Sequence, residues 1–171
     1  MQGFVQVYTG DGKGKTTAAL GLALRAAGAG LRVYIGQLIK NADYSELRTL
    51  HRLADLITIE QFGRGCMLVT KPEQADINAA RAGLLALTSA LHSGTFDLVI
   101  ADEINVACAL GLLVEQDLLD LLAERPETVE LVLTGRGAPA SVLDRADLVT
   151  EMRSVKHYYD QGVPARKGIE G

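Results

Sequence analysis

The chain has 171 residues, 48% of them apolar and 22% charged, with a formal net charge of −4. That length suits one domain with a full core, and the acidic balance argues against a dedicated nucleic-acid binder or a membrane-surface segment. Cys66 and Cys108 lie too far apart for a redox or zinc spacing, no charged-then-apolar leader precedes the first strand, and no apolar run reaches the roughly 18 residues of a membrane span, so a cytoplasmic protein with two reduced thiols is expected.

The first predicted element is a short apolar strand, Phe4–Tyr8, followed by Thr9-Gly-Asp-Gly-Lys-Gly-Lys-Thr-Thr17. A glycine-rich turn between a strand and a helix lets backbone N–H groups converge on an anion, and the new helix points its positive end at the same place. Thr9, Gly10, Asp11, Gly12, Lys13, Gly14, Lys15, Thr16 and Thr17 are therefore candidate nucleotide-binding residues. Lys15 can reach the outer phosphates and the Thr16 hydroxyl can hold Mg²⁺. The run matches the phosphate-loop template except that Thr9 stands where its first glycine would be.

Thr16 to Ala27 is rich in alanine and leucine on nearly every face, which predicts a largely buried helix stopped by Gly28 and Gly30. Within it, Arg25 needs a partner, either a nucleotide or a nearby carboxylate. Arg32–Gln37 reads as a second strand, Ser45 to about Ala54 as a helix, and Ile57–Gln61 as a third strand. Thr70 and Glu73 have the spacing of a capping box, and the helix that follows carries Ile77, Ala80, Leu84, Leu87 and Leu91 on one stripe before Gly94. Asp97–Asp102 reads as a strand covered on both faces, helices near 104–110 and 115–124 lead to the strand Glu130–Thr134, and a short helix from Pro139 precedes a sixth strand, Asp147–Met152.

Strands separated by helices predict right-handed crossovers and a single three-layer α/β domain with a mostly parallel sheet of about six strands, in which ligands sit at the carboxyl ends of the strands. Four polar clusters fall there: the phosphate loop, Lys40 to Asp43, Asp102 to Asn105, and Thr134 to Arg136. Asp102 and Glu103 end an apolar strand, so one is expected beside Thr16 and Mg²⁺ and the other toward the substrate. Arg136 is a candidate clamp for phosphate or ribose, or a surface arginine in a Gly-Arg-Gly turn. Asn41 and Asp43 would form a substrate wall or a solvated loop. Phe62, Met67 and Leu68 in a glycine-flanked loop suit either a flat apolar partner or packing onto the core. Residues 153–171 mix aromatic and basic side chains, as a lid over the site or a strap along the domain.

The residues quoted resemble the P-loop family of corrinoid adenosyltransferases, of the ATP:cob(I)alamin or cob(I)yrinic acid a,c-diamide type. The resemblance runs over nearly the whole chain and rests on Tyr8 to Ala19, Asp102 to Asn105, Leu133 to Arg136, Ala146 to Met152, Val155-Lys-His157 and Gly162 to Arg166. It implies a RecA-like P-loop fold, a homodimer, ATP and a reduced corrinoid as substrates, Mg²⁺ on Thr16 with Glu103 and Asp102, and an electron donor for the cobalt. It implies that Co(I) attacks the 5′ carbon of ATP and expels triphosphate, which lies in the loop in the reverse of the usual sense. Lys15, Glu103 and Arg136 would be the catalytic residues, with Arg25, Phe62 and Met67 joining the loop as binding residues. Two departures stand out. Members carry a segment ahead of the first strand that helps cover the corrinoid, where this chain has Met1 just before it. The loop after the third strand has Cys66-Met-Leu68 in place of a Phe-Thr-Trp-like cluster. The generic half of the motifs also fits an ATPase or phosphotransferase cleaving at the γ-phosphate, with Glu103 orienting the nucleophile, or a nucleotide-responsive binding protein.

Overall fold

A computed structural model describes residues 2–65 and 72–170. Six strands form one sheet: β1 (Val5–Thr9), β2 (Val33–Leu38), β3 (Ile57–Phe62), β4 (Leu98–Asp102), β5 (Glu130–Thr134) and β6 (Leu148–Glu151). Their order is β3-β2-β4-β5-β1-β6, and every neighbouring pair is parallel. The helices are α1 (Lys15–Gly28), α2 (Ser45–Leu50), α3 (Gln74–His92), α4 (Ile104–Ala109), α5 (Glu115–Ala123) and α6 (Ala140–Arg145). A 3-10 turn, His51–Leu53, completes the helical stretch expected from Ser45 to Ala54.

Strand alternation sorts the core into two layers. Val33, Ile35, Ile57, Leu98, Ile100 and Val132 face α1 and α2, where Ala19, Ala23, Ala26 and Leu50 meet them. Val5, Val7, Tyr34, Val99, Ala101, Leu131 and Leu133 face the other layer, built from Leu87 and Leu91 of α3, Ile104 of α4, Leu118 and Leu121 of α5 and Val142 of α6. The central strands β2 and β4 are buried along their whole length, because helices cover both faces.

Two expectations change. Helix α1 buries one face only: Ala19, Ala23, Ala26 and Ala27 lie on the sheet, while Leu24 is 44% exposed and Arg25 points to solvent. The close approach of helix to sheet comes from the small alanines, which leaves the leucines at the flanks. Helix α3 starts at Gln74, where the Glu73 N–H donates to the Asp76 carboxylate at 2.9 Å; Thr70, the expected cap, lies outside the described residues. Among the described residues no helix is long and apolar enough to cross a membrane.

Candidate active site

The loop between β1 and α1 is shaped by glycine. Gly10 and Gly14 have positive φ, 91° and 124°, and Gly14 begins α1 without a side-chain cap, so the first N–H groups of the helix stay free for an anion. A Cβ at Gly10 or Gly12 would lie 2.5 or 2.7 Å from the Met152 carbonyl oxygen, so the end of β6 forms the floor of the loop. The Lys15 ammonium, buried at the start of α1, donates to the carbonyls of Gly10 and Gly12 at 2.6 and 2.7 Å. Burial and the charge of Arg136 pull Lys15 below the ordinary lysine value, against Glu103 and Asp11. Thr9 ends β1, and its hydroxyl accepts from the Ala138 N–H at 3.5 Å; Asp11, Lys13 and Thr17 are exposed around the loop.

Beside the loop, a polar row crosses the sheet on the α1 face. Gln61 of β3 donates to Gln37 of β2 at 3.0 Å, and Gln37 donates to Asp102 of β4 at 3.0 Å. Thr134 of β5 donates to the other Asp102 oxygen at 2.7 Å. Asp102 shares its face with Leu98 and Ile100, which directs it toward α1, where Thr16 Oγ1 donates to it at 2.9 Å. Lys40 closes the set, 2.7 Å from Asp102 Oδ2 and 3.1 Å from Thr16 Oγ1. Asp102 is 1% exposed and carries four donors, which satisfies a buried carboxylate.

Glu103 follows in a left-handed conformation, φ 63°, with its N–H on Thr134 Oγ1 at 2.9 Å. Burial, and then Asp102, push its carboxyl above the ordinary glutamate range, against the pull of Lys40, Lys15 and Arg136. Arg136 is exposed at the rim in a turn where Gly135 and Gly137 both have positive φ, and its charge reaches Lys15 and Glu103.

The expected site residues therefore separate. The loop, Lys15, Thr16, Asp102, Glu103 and Arg136 come together. Arg25 does not: it lies on the exposed face of α1, ten residues and so roughly 15 Å along the axis from Lys15. Phe62 lies on α3, since a Cβ at Gly83 would stand 3.0 Å from Phe62 Cβ; this is the packed alternative for its loop. Met67, with Cys66 and Leu68, falls outside the described residues. Gln37 and Gln61 join the site from outside any motif, and Lys40, expected only at the carboxyl edge of the sheet, takes a specific place beside Asp102. A polar residue near the carboxyl end of an otherwise apolar strand is the signal that marks Gln37; β3 also holds Thr58 and Glu60, so nothing in its sequence singles out Gln61.

The chain after β6 begins against the loop at Met152 and reaches α2 by residues 165–167, where Ala165, Arg166 and Lys167 line a cavity of about 300 Å³ with Asp43, Ser45 and Arg48. Since β6 and β2 are four strand spacings apart, roughly 19 Å, this segment traverses the carboxyl edge of the sheet. It holds its own shape: the Tyr158 hydroxyl and the Arg166 backbone N–H meet the Glu170 carboxylate, and the Arg166 guanidinium lies 4.9 Å from the Tyr158 ring centre.

Among the described residues no group of three or more His, Cys, Asp or Glu could hold a metal by itself. The Thr16 hydroxyl and the Asp102 and Glu103 carboxylates are instead the hard oxygen set that takes Mg²⁺ together with phosphate and water, so they fit that ion.

A family model described as ATP:corrinoid adenosyltransferase BtuR/CobO/CobP matches residues 1–171. A corrinoid adenosyltransferase of Pseudomonas aeruginosa is 35% identical over 170 residues, covering 99% of this chain and 84% of the relative. One from Escherichia coli is 35% identical over 169 residues, covering 99% and 86%. The corrinoid adenosyltransferase CobA of Salmonella typhimurium is 36% identical over 169 residues, again covering 99% and 86%.

Proposed function

The chain belongs to the ATP:corrinoid adenosyltransferase family, and from that premise we propose that it transfers the 5′-deoxyadenosyl group of ATP to the cobalt of a Co(I) corrinoid and releases inorganic triphosphate. The observation that carries this reading is the junction of the open start of α1, the Lys15 ammonium and the Thr16–Asp102 pair on one small patch. Such a patch grips a polyphosphate.

In this reaction the bond from C5′ to the triphosphate oxygen breaks as the carbon–cobalt bond forms, and negative charge builds on the leaving group. Reduced cobalt is a strong enough nucleophile to need no base, so the protein's work is alignment and charge stabilisation. Lys15 and the loop N–H groups hold the leaving triphosphate. Thr16, Asp102 and Glu103 would hold Mg²⁺, which would supply further positive charge to that group. Arg136 approaches from the rim, where its charge already reaches Lys15 and Glu103. Residues 153–170 act as the lid that keeps water from C5′. The same family premise carries a cytoplasmic homodimer and a separate electron donor for the cobalt.

The test is anaerobic incubation with Mg-ATP and reduced cobalamin, following the visible spectrum and the phosphate products together. A light-sensitive carbon–cobalt product with equimolar triphosphate is expected. ADP and phosphate with an unchanged corrinoid would overturn the reading in favour of cleavage at the γ-phosphate.

A further inference from the structure

We propose that Lys40 is a built-in counter-ion that occupies the divalent-metal position of the nucleotide-free protein and is displaced when the metal arrives. The Lys40 ammonium bridges the Thr16 hydroxyl and the Asp102 carboxylate, at 3.1 and 2.7 Å, which are two of the three groups that the proposed function assigns to Mg²⁺. The inference rests on that assignment. The hydroxyl and the carboxylate are already in contact, Thr16 Oγ1 lying 2.9 Å from Asp102 Oδ1 while Lys40 takes Oδ2, so one cation at a time can bridge the two groups.

The backbone holds Lys40 in this place. Ile39 adopts φ 54°, a left-handed conformation that a β-branched residue avoids and that persists only where the surrounding structure imposes it. The Ile39 N–H is fixed to the Phe62 carbonyl at 3.0 Å, and the turn passes so close to Gly63 that a Cβ there would lie 2.6 Å from the Lys40 nitrogen. The strained turn carries the chain off β2 and back over Asp102, leaving the Lys40 side chain 12% exposed. Its ammonium neutralises a carboxylate that would otherwise be buried without a counter-charge, and it keeps Thr16 and Asp102 at metal-binding separation. The device also makes the site selective. Free Mg²⁺ meets a pair already neutralised, whereas Mg²⁺ arriving with a polyphosphate brings an anion that can take up the released ammonium.

The experiment uses the full chain and MgCl₂ alone, without nucleotide, and reads the midpoint of thermal unfolding. Wild type should be indifferent to millimolar Mg²⁺. Lys40→Met should be less stable in metal-free buffer, should recover with added Mg²⁺, and should bind it at least about tenfold more tightly than wild type, the scale on which one nearby charge alters an ionic equilibrium. Should the methionine variant fail to fold, Lys40→Gln keeps a hydrogen bond to Asp102 while removing the charge, and the same response is expected. Equal responses in wild type and variant, or none in either, would overturn the proposal. Asp102→Asn separates that failure from failure of the metal assignment. If Asp102→Asn abolishes the Mg²⁺ dependence of ATP stabilisation, the assignment stands and only the role of Lys40 falls. If that dependence survives, the assignment itself is wrong and the proposal falls with it.

Discussion

Gly12 donates its N–H to the Met152 carbonyl at 2.7 Å, which joins the glycine loop directly to the end of the last strand. The contact leaves no room for a side chain on either side of it. It also ties the nucleotide site to the start of the segment that traverses the carboxyl edge, since Arg153 is the next residue in the chain.

We predict that Gly12→Ala forces this contact open, because its Cβ would stand 2.7 Å from the Met152 oxygen. The loss should be about 1–3 kcal/mol in urea unfolding, the usual cost of overpacking a tight site, with weakened ATP binding. Unchanged stability and unchanged nucleotide affinity would show that the loop does not depend on β6.

Lys15→Ala should lower turnover by roughly 10²–10³, the scale of one lost preorganised donor at a developing charge. Because Lys15 also ties the Gly10 and Gly12 carbonyls, part of the loss should come from a looser loop, visible as weaker ATP binding in calorimetry. Wild-type turnover in this variant would remove Lys15 from the mechanism.

The raised pKa of Glu103 makes stability depend on pH with a definite sign. A carboxyl whose folded-state value lies above its unfolded value contributes stability that is complete below the unfolded value and lost as pH rises through the folded one. Glu103→Gln should therefore unfold at a higher temperature than wild type at neutral pH, and the two curves should converge below the ordinary glutamate range. A Glu103→Gln variant less stable than wild type at neutral pH, with the deficit shrinking toward acid, would mean that the surrounding cations dominate and Glu103 is held low.

Truncation after Ser154 removes Tyr158, Arg166 and Glu170, which hold one another. The shortened chain should keep its cooperative unfolding and its ATP affinity but lose transfer to the corrinoid. Full transfer by the truncated chain would reduce the segment to a surface strap.

Much of the architecture was legible from local pattern. Phe4–Tyr8, the glycine loop and the helix that follows announce themselves because turn chemistry and periodicity are properties of adjacent residues. Glu130–Thr134 falls on the expected bounds, and the other strands within one residue at each end. Helix α1 read as buried on all sides because alanine is apolar without saying how near the sheet will come. The order of the strands was not legible, since nothing in Val33–Leu38 or Leu98–Asp102 names its neighbour.

What the sequence by itself determined is a glycine-rich turn between a strand and a helix, two acids at the end of an apolar strand, and a family resemblance carried by motif spacing. Only the tertiary structure decided which acid meets Thr16. Strand β4 is apolar on both faces, so no alternation in Leu98-Val-Ile-Ala-Asp102 reveals the direction of its last side chain; packing against α1 sets that phase. It also decided the position of Lys40, which depends on a strained turn at Ile39 and on the space left by Gly63, and the path of residues 153–170 from β6 to α2. These are relations between segments tens of residues apart, and they arise only when burial of both sheet faces brings the strand ends to a common edge.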